Sequence, residues 1–199
     1  MRYRSKQVQA AVALILLITS VILCSPLGAS ANSTGATYML AATPTPATCP
    51  TPGNNACITS INSTPTVGVT LNGTDQSLSF TMLYTLNNSV SSNWHVTIAL
   101  TQFTTTSTPH RTLPTTTTIT AVTVVPSCSG NTCPVNAISY PLSVTAGNTP
   151  VTFFNNTGGG SHGVGSFTIQ TTMSISVPGN AYAGIYTSTF TIAFVSGSA

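Results

Sequence analysis

Hydrophobic and polar residues alternate with a period of two along most of the chain after residue 66. This period places every second side chain on the same face of a β-strand, so each run predicts a strand with one apolar face. Turn-forming residues such as Asn72-Gly73 and Pro178-Gly179-Asn180 separate the runs. The clearest runs are Val67–Leu71, Leu78–Leu86, Trp94–Leu100, Ile138–Val144, Val151–Phe153, Phe167–Val177 and Tyr186–Phe194.

The alternation is weaker in the middle of the chain. Phe103 breaks the phase of the preceding run, which indicates a bulge or the end of a strand. Residues Thr115–Val125 are rich in Thr and Val and predict a further strand whose phase shifts between Ile119 and Val122. Gly158–Gly165 predicts a flexible connector between two strands.

The predicted strands decide the fold class. Because each strand has one apolar face, these faces must pack against one another to exclude water. We predict an all-β fold, an antiparallel β-sandwich of about 7–9 strands of the immunoglobulin-like or Greek-key type. This domain spans residues 66–199, and no segment after residue 31 has helical spacing.

Residues 1–31 have the organisation of a secretory signal. Three basic residues precede an apolar stretch from Val8 to Leu23, and Ala29-Ser30-Ala31 supplies the small residues of a cleavage site. We expect a signal helix that is cleaved before Asn32, which makes the protein secreted and places it at the cell surface or in the cell wall. The apolar stretch is shorter than the roughly 20 residues of a membrane span. Retention of the segment as a membrane anchor is the alternative.

Residues 32–65 are rich in Pro, Thr, Ala and Asn and predict an extended linker. Four cysteines follow the signal, an even number that favours disulfides in an exported chain. Pairing of Cys49 with Cys57 and of Cys128 with Cys133 is the simplest of the three possible connectivities. A zinc site is the alternative, but neither pair has the two-residue spacing of a zinc knuckle.

Ionisable side chains are almost absent after the signal. Arg111 is the only Lys or Arg there, and Asp75 is the only Asp or Glu of the chain. One cation cannot neutralise a run of phosphates, which excludes nucleic-acid binding and electrostatic attachment to anionic lipid. One carboxylate excludes paired-acid catalysis and carboxylate-rich calcium sites. We therefore expect no enzyme and no cofactor.

Two further observations bear on function. The histidines, His95, His110 and His162, lack the spacing of metal ligands, so we expect no metal site. The polar exterior must come from Thr, Ser and Asn, which suits a protein fixed in a wall or packed against neighbours better than a freely diffusing monomer.

The strand with the single tryptophan resembles a motif of the WxL domain, a bacterial surface module that attaches non-covalently to peptidoglycan. The motif reads Trp94-His95-Val96, with valine in place of the family's leucine, and leads into Thr97–Phe103. A second motif reads Tyr186–Phe194, with Ile192 in place of the family's second tryptophan. The resemblance covers the chain from Thr66 to Val195.

The resemblance implies that the protein binds peptidoglycan or another neutral wall glycan. It implies that aromatic faces contact sugar rings while threonine hydroxyls bond to sugar hydroxyls. Burial of the aromatic residues in the core is the alternative for strands of this pattern. The C-terminal strand is also similar to fimbrial subunits and U-type spore-coat proteins, so assembly with itself or with other surface proteins through strand edges is the second functional hypothesis. The candidate wall-binding residues are Trp94, Val96, Tyr186, Phe190 and Thr191.

Overall fold

The computed structural model describes residues 37–46, 57–61, 65–89, 93–125, 133–159, 161–197 and 199. The chain divides into residues 1–31 and a compact unit of residues 32–199. The predicted signal lies outside the described residues, so its helical structure and its cleavage stay predictions. Within the described ranges, no helix is long and apolar enough to cross a membrane.

The described residues form eleven β-strands, numbered here in chain order. Alternating apolar and polar side chains determine most of them, since one face of each strand can then be buried. Their bounds are β1 Thr37–Pro46, β2 Cys57–Ile61, β3 Thr66–Thr70, β4 Gln76–Asn88, β5 Trp94–Leu100, β6 Thr104–Thr105, β7 Thr116–Val125, β8 Leu142–Thr145, β9 Gly147–Asn156, β10 Gly165–Val177 and β11 Gly184–Ser196.

The strands form two sheets, and the prediction of an all-β antiparallel sandwich is confirmed. One sheet has the order β3-β1-β11-β5-β9, with β6 also paired to β11, and the other has the order β2-β4-β10-β7-β8. Among the described strands, each pair is antiparallel except β1 and β11. These two run parallel, from Tyr38 opposite Gly184 to Pro46 opposite Ile192.

The core lies between the two sheets and is built from alternate side chains of each strand. Phe80 meets Phe190 of the opposite sheet with ring centroids 6.0 Å apart, and Tyr84 meets Phe153 at 5.7 Å. Full burial of one such side chain contributes about 1.5–3 kcal/mol, so this shared core holds the sheets together. The buried apolar positions of β4 are Leu78, Phe80, Met82, Tyr84 and Leu86, as the alternation predicts.

The N-terminal segment departs from the predicted linker, because residues 32–65 contain both β1 and β2. Among the described strands, Pro44 and Pro46 of β1 pair with β11 alone, since the pairing of β1 with β3 ends at Ala41. Proline is tolerated in a strand where one neighbour does not require its missing N–H. The linker prediction is therefore corrected at these two strands.

The predicted strand Ile138–Val144 begins only at Leu142, as β8. A side-chain turn replaces its first half, because Asn136 Oδ1 accepts the backbone N–H of Ile138 at 3.1 Å and that of Asn155 at 3.0 Å. Such local side-chain bonds compete with the strand ladder. The structure nevertheless has more strands than predicted, because β1, β2 and the two-residue β6 add to the alternating runs.

Candidate functional site

Four of the five candidate wall-binding side chains lie in the core. Trp94, Val96, Tyr186 and Phe190 are at most 1% exposed. Only Thr191 is exposed, on the opposite face of β11. A buried side chain cannot contact a sugar. The expectation that these four side chains contact a glycan directly is therefore wrong. The cause is that they occupy the inward positions of β5 and β11.

Trp94 is held by aromatic neighbours and by a loop. Its ring stacks between Phe154 and Phe194, with centroid distances of 5.3 and 5.2 Å. Its Nε1 donates to the carbonyl oxygen of Gly163 at 3.2 Å, which satisfies the only polar group of the indole. The glycine-rich segment between β9 and β10, predicted as a flexible connector, is thus fixed to the core at this point.

A surface pocket of about 340 Å³ lies between the loop after β6 and the turn that joins β10 to β11. We call it the Arg111–Tyr182 pocket. Leu113 is its most buried lining residue, and most of the other lining side chains are exposed or half-buried. The lining residues are His110, Arg111, Thr112, Leu113, Pro178, Asn180, Ala181 and Tyr182.

Arg111 and Tyr182, which both line this pocket, contact each other. The guanidinium carbon of Arg111 lies 3.9 Å from the centroid of the Tyr182 ring. A cation–π contact of this kind contributes about 0.5–1 kcal/mol at an exposed site. Guanidinium N–H groups point outward from the central carbon in the plane of the group, so a contact through the face leaves donors at its edge. The pocket therefore combines a cation with an aromatic ring that is 46% exposed.

Thr105, a buried residue of β6, holds the loop that carries His110 and Arg111. Its backbone N–H donates to Arg111 O at 2.8 Å, and its Oγ1 accepts the N–H of Arg111 at 2.8 Å. Nδ1 of His110 lies 2.8 Å from Thr105 O, so it is the donor in that bond. Thr105 also pairs opposite Tyr186 of β11. Thr105 thus fixes the backbone of Arg111 on one side of the pocket to the sheet, and the bond from Leu113 N to Phe103 O, 3.0 Å long, holds the end of the same loop.

The other side of the pocket is the turn Pro178–Tyr182. Asp75 Oδ1 accepts the backbone N–H of Gly179 at 2.8 Å. The hydroxyl of Tyr186 donates to Tyr182 O at 3.1 Å. Burial raises the pKa of Tyr186, so this hydroxyl remains protonated and can donate near neutral pH. Tyr186, a candidate for wall contact, instead positions the backbone of Tyr182.

The sequence pattern does not reveal this pocket. Arg111 stands out only as the single cation after the signal, and Tyr182 lies in a turn outside the alternating runs. The two residues are far apart in the sequence and meet because β6 pairs with β11. The available signal was an isolated cation next to a histidine, in a segment after the predicted signal whose only Asp or Glu is Asp75. No spacing rule links this cation to a distant tyrosine.

The histidines lie at separate places, each bonded to a backbone carbonyl. Nδ1 of His95 is 3.0 Å from Gly197 O, and Nδ1 of His162 is 3.0 Å from Cys133 O. Within the described part of the chain, no group of three His, Cys, Asp or Glu side chains is placed to hold a metal ion.

Two of the four cysteines after the predicted signal lie within the described residues. Cys57 and Cys133 are disulfide-bonded. Their expected partners, Cys49 and Cys128, lie outside the described residues. The pairing of Cys49 with Cys57 and of Cys128 with Cys133 therefore stays a prediction.

No family model matches the chain, and no curated protein sequence matches it. The resemblance to the WxL domain therefore rests on the motifs at Trp94 and Tyr186 alone. A fold of this kind hosts many functions, so function has to be derived from the chemistry of the surface and of the pocket.

Proposed function

We propose that the protein is exported, is cleaved before Asn32 and attaches non-covalently to peptidoglycan at the cell surface. The exterior supports this, because Thr, Ser and Asn side chains offer neutral hydrogen bonds to sugar hydroxyls. We propose no catalytic activity, no cofactor and no nucleic-acid partner. The reason is the near absence of ionisable groups, with Asp75 the only acidic side chain and Arg111 the only Lys or Arg after the signal.

The observation that carries this proposal is the exposed ring of Tyr182 inside a pocket. The large aromatic side chains of β4, β5 and β11 are mostly buried, whereas Tyr182 is 46% exposed. Asn180 and Thr112 line the same pocket with neutral donors and acceptors. A concave site that brings an aromatic ring together with convergent polar groups can orient a small ligand. We therefore assign wall contact to the pocket in place of the buried Trp94 and Phe190.

Retention on purified peptidoglycan at low and high salt tests the proposal. Because the pocket has a single cation, the retained fraction should fall less than about fivefold between 0.05 and 0.5 M salt, which is the effect of screening one exposed ion pair. Tyr182→Ala should lower the apparent affinity at least about tenfold, which corresponds to the loss of a central aromatic contact. Ile185→Ala is the matched control, since Ile185 is also exposed but does not line the pocket. Absence of retention at both salt concentrations rejects wall binding.

A second candidate function is assembly of copies through strand edges, as a structural subunit of the envelope. The edge strands of the two sheets are β3, β9, β2 and β8. None of them contains Lys, Arg, Asp or Glu, and Pro150 of β9 is their only proline. Charged residues and prolines are the usual protection of an edge against pairing with another chain. Residues 155–157 at the end of β9 already bond to residues 135–137, so the edges β3 and β8 are the ones chemically able to pair.

Sedimentation velocity over a range of protein concentrations tests assembly. Ser143→Lys places a charge on the edge strand β8, and Ser79→Lys places one on the inner strand β4, at an equally exposed serine. If copies join through β8, polymers form at high concentration and only Ser143→Lys weakens them. A monomer at all concentrations would contradict assembly.

A further inference from the structure

We propose that the Arg111–Tyr182 pocket recognises a carboxylate carried by a wall sugar or by the end of a wall peptide. The inference rests on the proposed function for the source of the ligand, because stem peptides of peptidoglycan end in a carboxylate, and its muramic sugars carry one wherever the stem peptide has been removed. It adds a cationic contact to a surface whose other polar side chains are, apart from Asp75, mostly neutral.

The charge balance of the pocket is the first argument. Arg111 brings a permanent positive charge, and none of the described lining residues is acidic. Asp75 is the only acidic side chain of the whole chain. Its Oδ1 is bonded to Gly179 N, and it is not among the residues that line the pocket. The guanidinium therefore has no acidic partner within the pocket, and an anion is the complementary ligand.

The geometry of Arg111 is the second argument. The Tyr182 ring lies against the guanidinium carbon at 3.9 Å, and Thr105 fixes the backbone of Arg111 with two hydrogen bonds of 2.8 Å. A guanidinium held in this way loses little further freedom when a ligand binds. Its planar fork of N–H groups matches the two oxygens of a carboxylate, which can accept two parallel bonds.

The size of the pocket limits the ligand. A volume of about 340 Å³ is near the lower limit of small-molecule sites, about 300 Å³. It suits one sugar ring or a dipeptide rather than a long glycan. The Tyr182 ring and Asn180 then contact the neutral part of the ligand, while Arg111 contacts its carboxylate.

Two matched pairs of ligands test the proposal by nuclear magnetic resonance titration of the protein purified from secreting cells. N-acetylmuramic acid differs from N-acetylglucosamine by a lactyl group with a carboxylate. D-alanyl-D-alanine differs from its C-terminal amide by the carboxylate alone. The backbone amide signals of residues 110–113 and 179–182 report binding. In at least one pair, the carboxylate form should bind about tenfold more tightly, as expected for a bidentate charge-assisted contact. Which pair responds identifies a sugar or a peptide as the source.

Two variants separate the role of Arg111 from general damage. Arg111→Lys keeps the charge but loses the planar fork, so it should weaken the carboxylate ligand about tenfold. Tyr182→Phe keeps the ring under the guanidinium and should change the affinity less than about twofold. In both variants, unchanged signals from the strands of the opposite sheet verify the fold. Unchanged affinity in Arg111→Lys would overturn the proposal.

The outcome also separates this inference from the proposed function. Equal binding of both members of each pair, or no binding of any of the four ligands, overturns carboxylate recognition even if the protein is retained on peptidoglycan. Binding of a carboxylate form without retention on peptidoglycan supports the pocket and rejects wall attachment.

Discussion

The indole Nε1 of Trp94 donates a hydrogen bond of 3.2 Å to the carbonyl oxygen of Gly163. The same oxygen accepts a second bond, from Nδ2 of Asn88 at 2.8 Å. Gly163 has a positive φ of 70°, and a Cβ at this position would lie 2.7 Å from Trp94 Nε1. The tryptophan is therefore a structural anchor for the loop between β9 and β10, and the close approach requires a glycine.

Substitution of Gly163 should be more costly than substitution of a second glycine in the same loop. Gly159 also has a positive φ, of 58°, but a Cβ there would meet only Asn93 Oδ1, at 4.0 Å. Gly159→Ala should lower the free energy of unfolding by about 1–2 kcal/mol through the left-handed backbone alone. Gly163→Ala should cost about 1–3 kcal/mol more, because its methyl group overlaps Trp94. Urea unfolding measures both, and equal losses would contradict the close contact.

Trp94→Phe should affect stability and leave wall retention unchanged. The variant removes the bond to Gly163 and part of the contact with Phe154, which should lower the free energy of unfolding by about 1–3 kcal/mol. Peptidoglycan retention of the folded variant should match that of the parent protein, since the ring is fully buried. Loss of retention in a sample whose circular dichroism is unchanged would instead support a direct role for Trp94.

Thr105 should act as a positioning residue for the pocket. Thr105→Val keeps the shape of the side chain but leaves the N–H of Arg111 without its acceptor. The free energy of unfolding should fall by about 1–2 kcal/mol, and ligand affinity in the Arg111–Tyr182 pocket should fall with it. Thr105→Ser retains the hydroxyl and should restore the affinity. Failure of the serine variant to restore it would assign the effect to packing.

Stability should fall at alkaline pH because of Tyr84. Burial, and secondarily Tyr140, raises the pKa of Tyr84 well above the ordinary value of 10.0, and its hydroxyl bonds to Thr171 Oγ1 in the core. Above about pH 10 the unfolded tyrosine loses its proton while the folded one keeps it, so the free energy of unfolding decreases with pH. Below about pH 10 both the folded and the unfolded state keep the proton of Tyr84, so the stabilisation by the protonated tyrosine is fully present. Urea unfolding at pH 8, 10 and 11 should show this decrease, and Tyr84→Phe should make it shallower.

The cysteine pairing predicted from the sequence can be measured directly. Proteolysis of the unreduced protein followed by mass spectrometry should yield one linked peptide with Cys49 and Cys57 and another with Cys128 and Cys133. No Lys, Arg, Asp, Glu or aromatic residue lies between the two cysteines of either pair, so each pair should stay on one peptide, and reduction should raise the mass of that peptide by two hydrogens. A linked peptide that joins the first pair to the second would show one of the other two connectivities.

The sandwich was predictable because successive side chains of a strand point to opposite faces, so an alternating sequence leaves only two choices for the buried face. In β4, β5, β10 and β11 the apolar phase is unambiguous, and the structure buries that phase. The strand β1 was not predictable in the same way, because its prolines are typical of a linker. These prolines fit in the sheet because of the register in which β1 pairs with β3 and β11. This register cannot be read from the local sequence.

The candidate site was less predictable than the fold. The local sequence around Trp94 fits both a ring in the core and a ring exposed to a glycan. The pairing of β5 with β9 and β11 decides between these two positions of the ring. Arg111 and Tyr182 lie in loops, where alternation carries no information. Their contact depends on the bond that Arg111 N donates to Thr105 Oγ1 and on the bond that the Tyr186 hydroxyl donates to Tyr182 O, and neither can be seen in the sequence.

The parallel alignment of β1 with β11 has a practical consequence for labelling. Tyr38 lies opposite Gly184, so the chain enters the sandwich at the end of β11 that follows Tyr182. The 13 residues of β11 extend roughly 40 Å away from that end. A fluorescent reporter fused after β11 would stand clear of the pocket, whereas one fused directly before residue 37 would be attached beside Gly184, two residues after Tyr182.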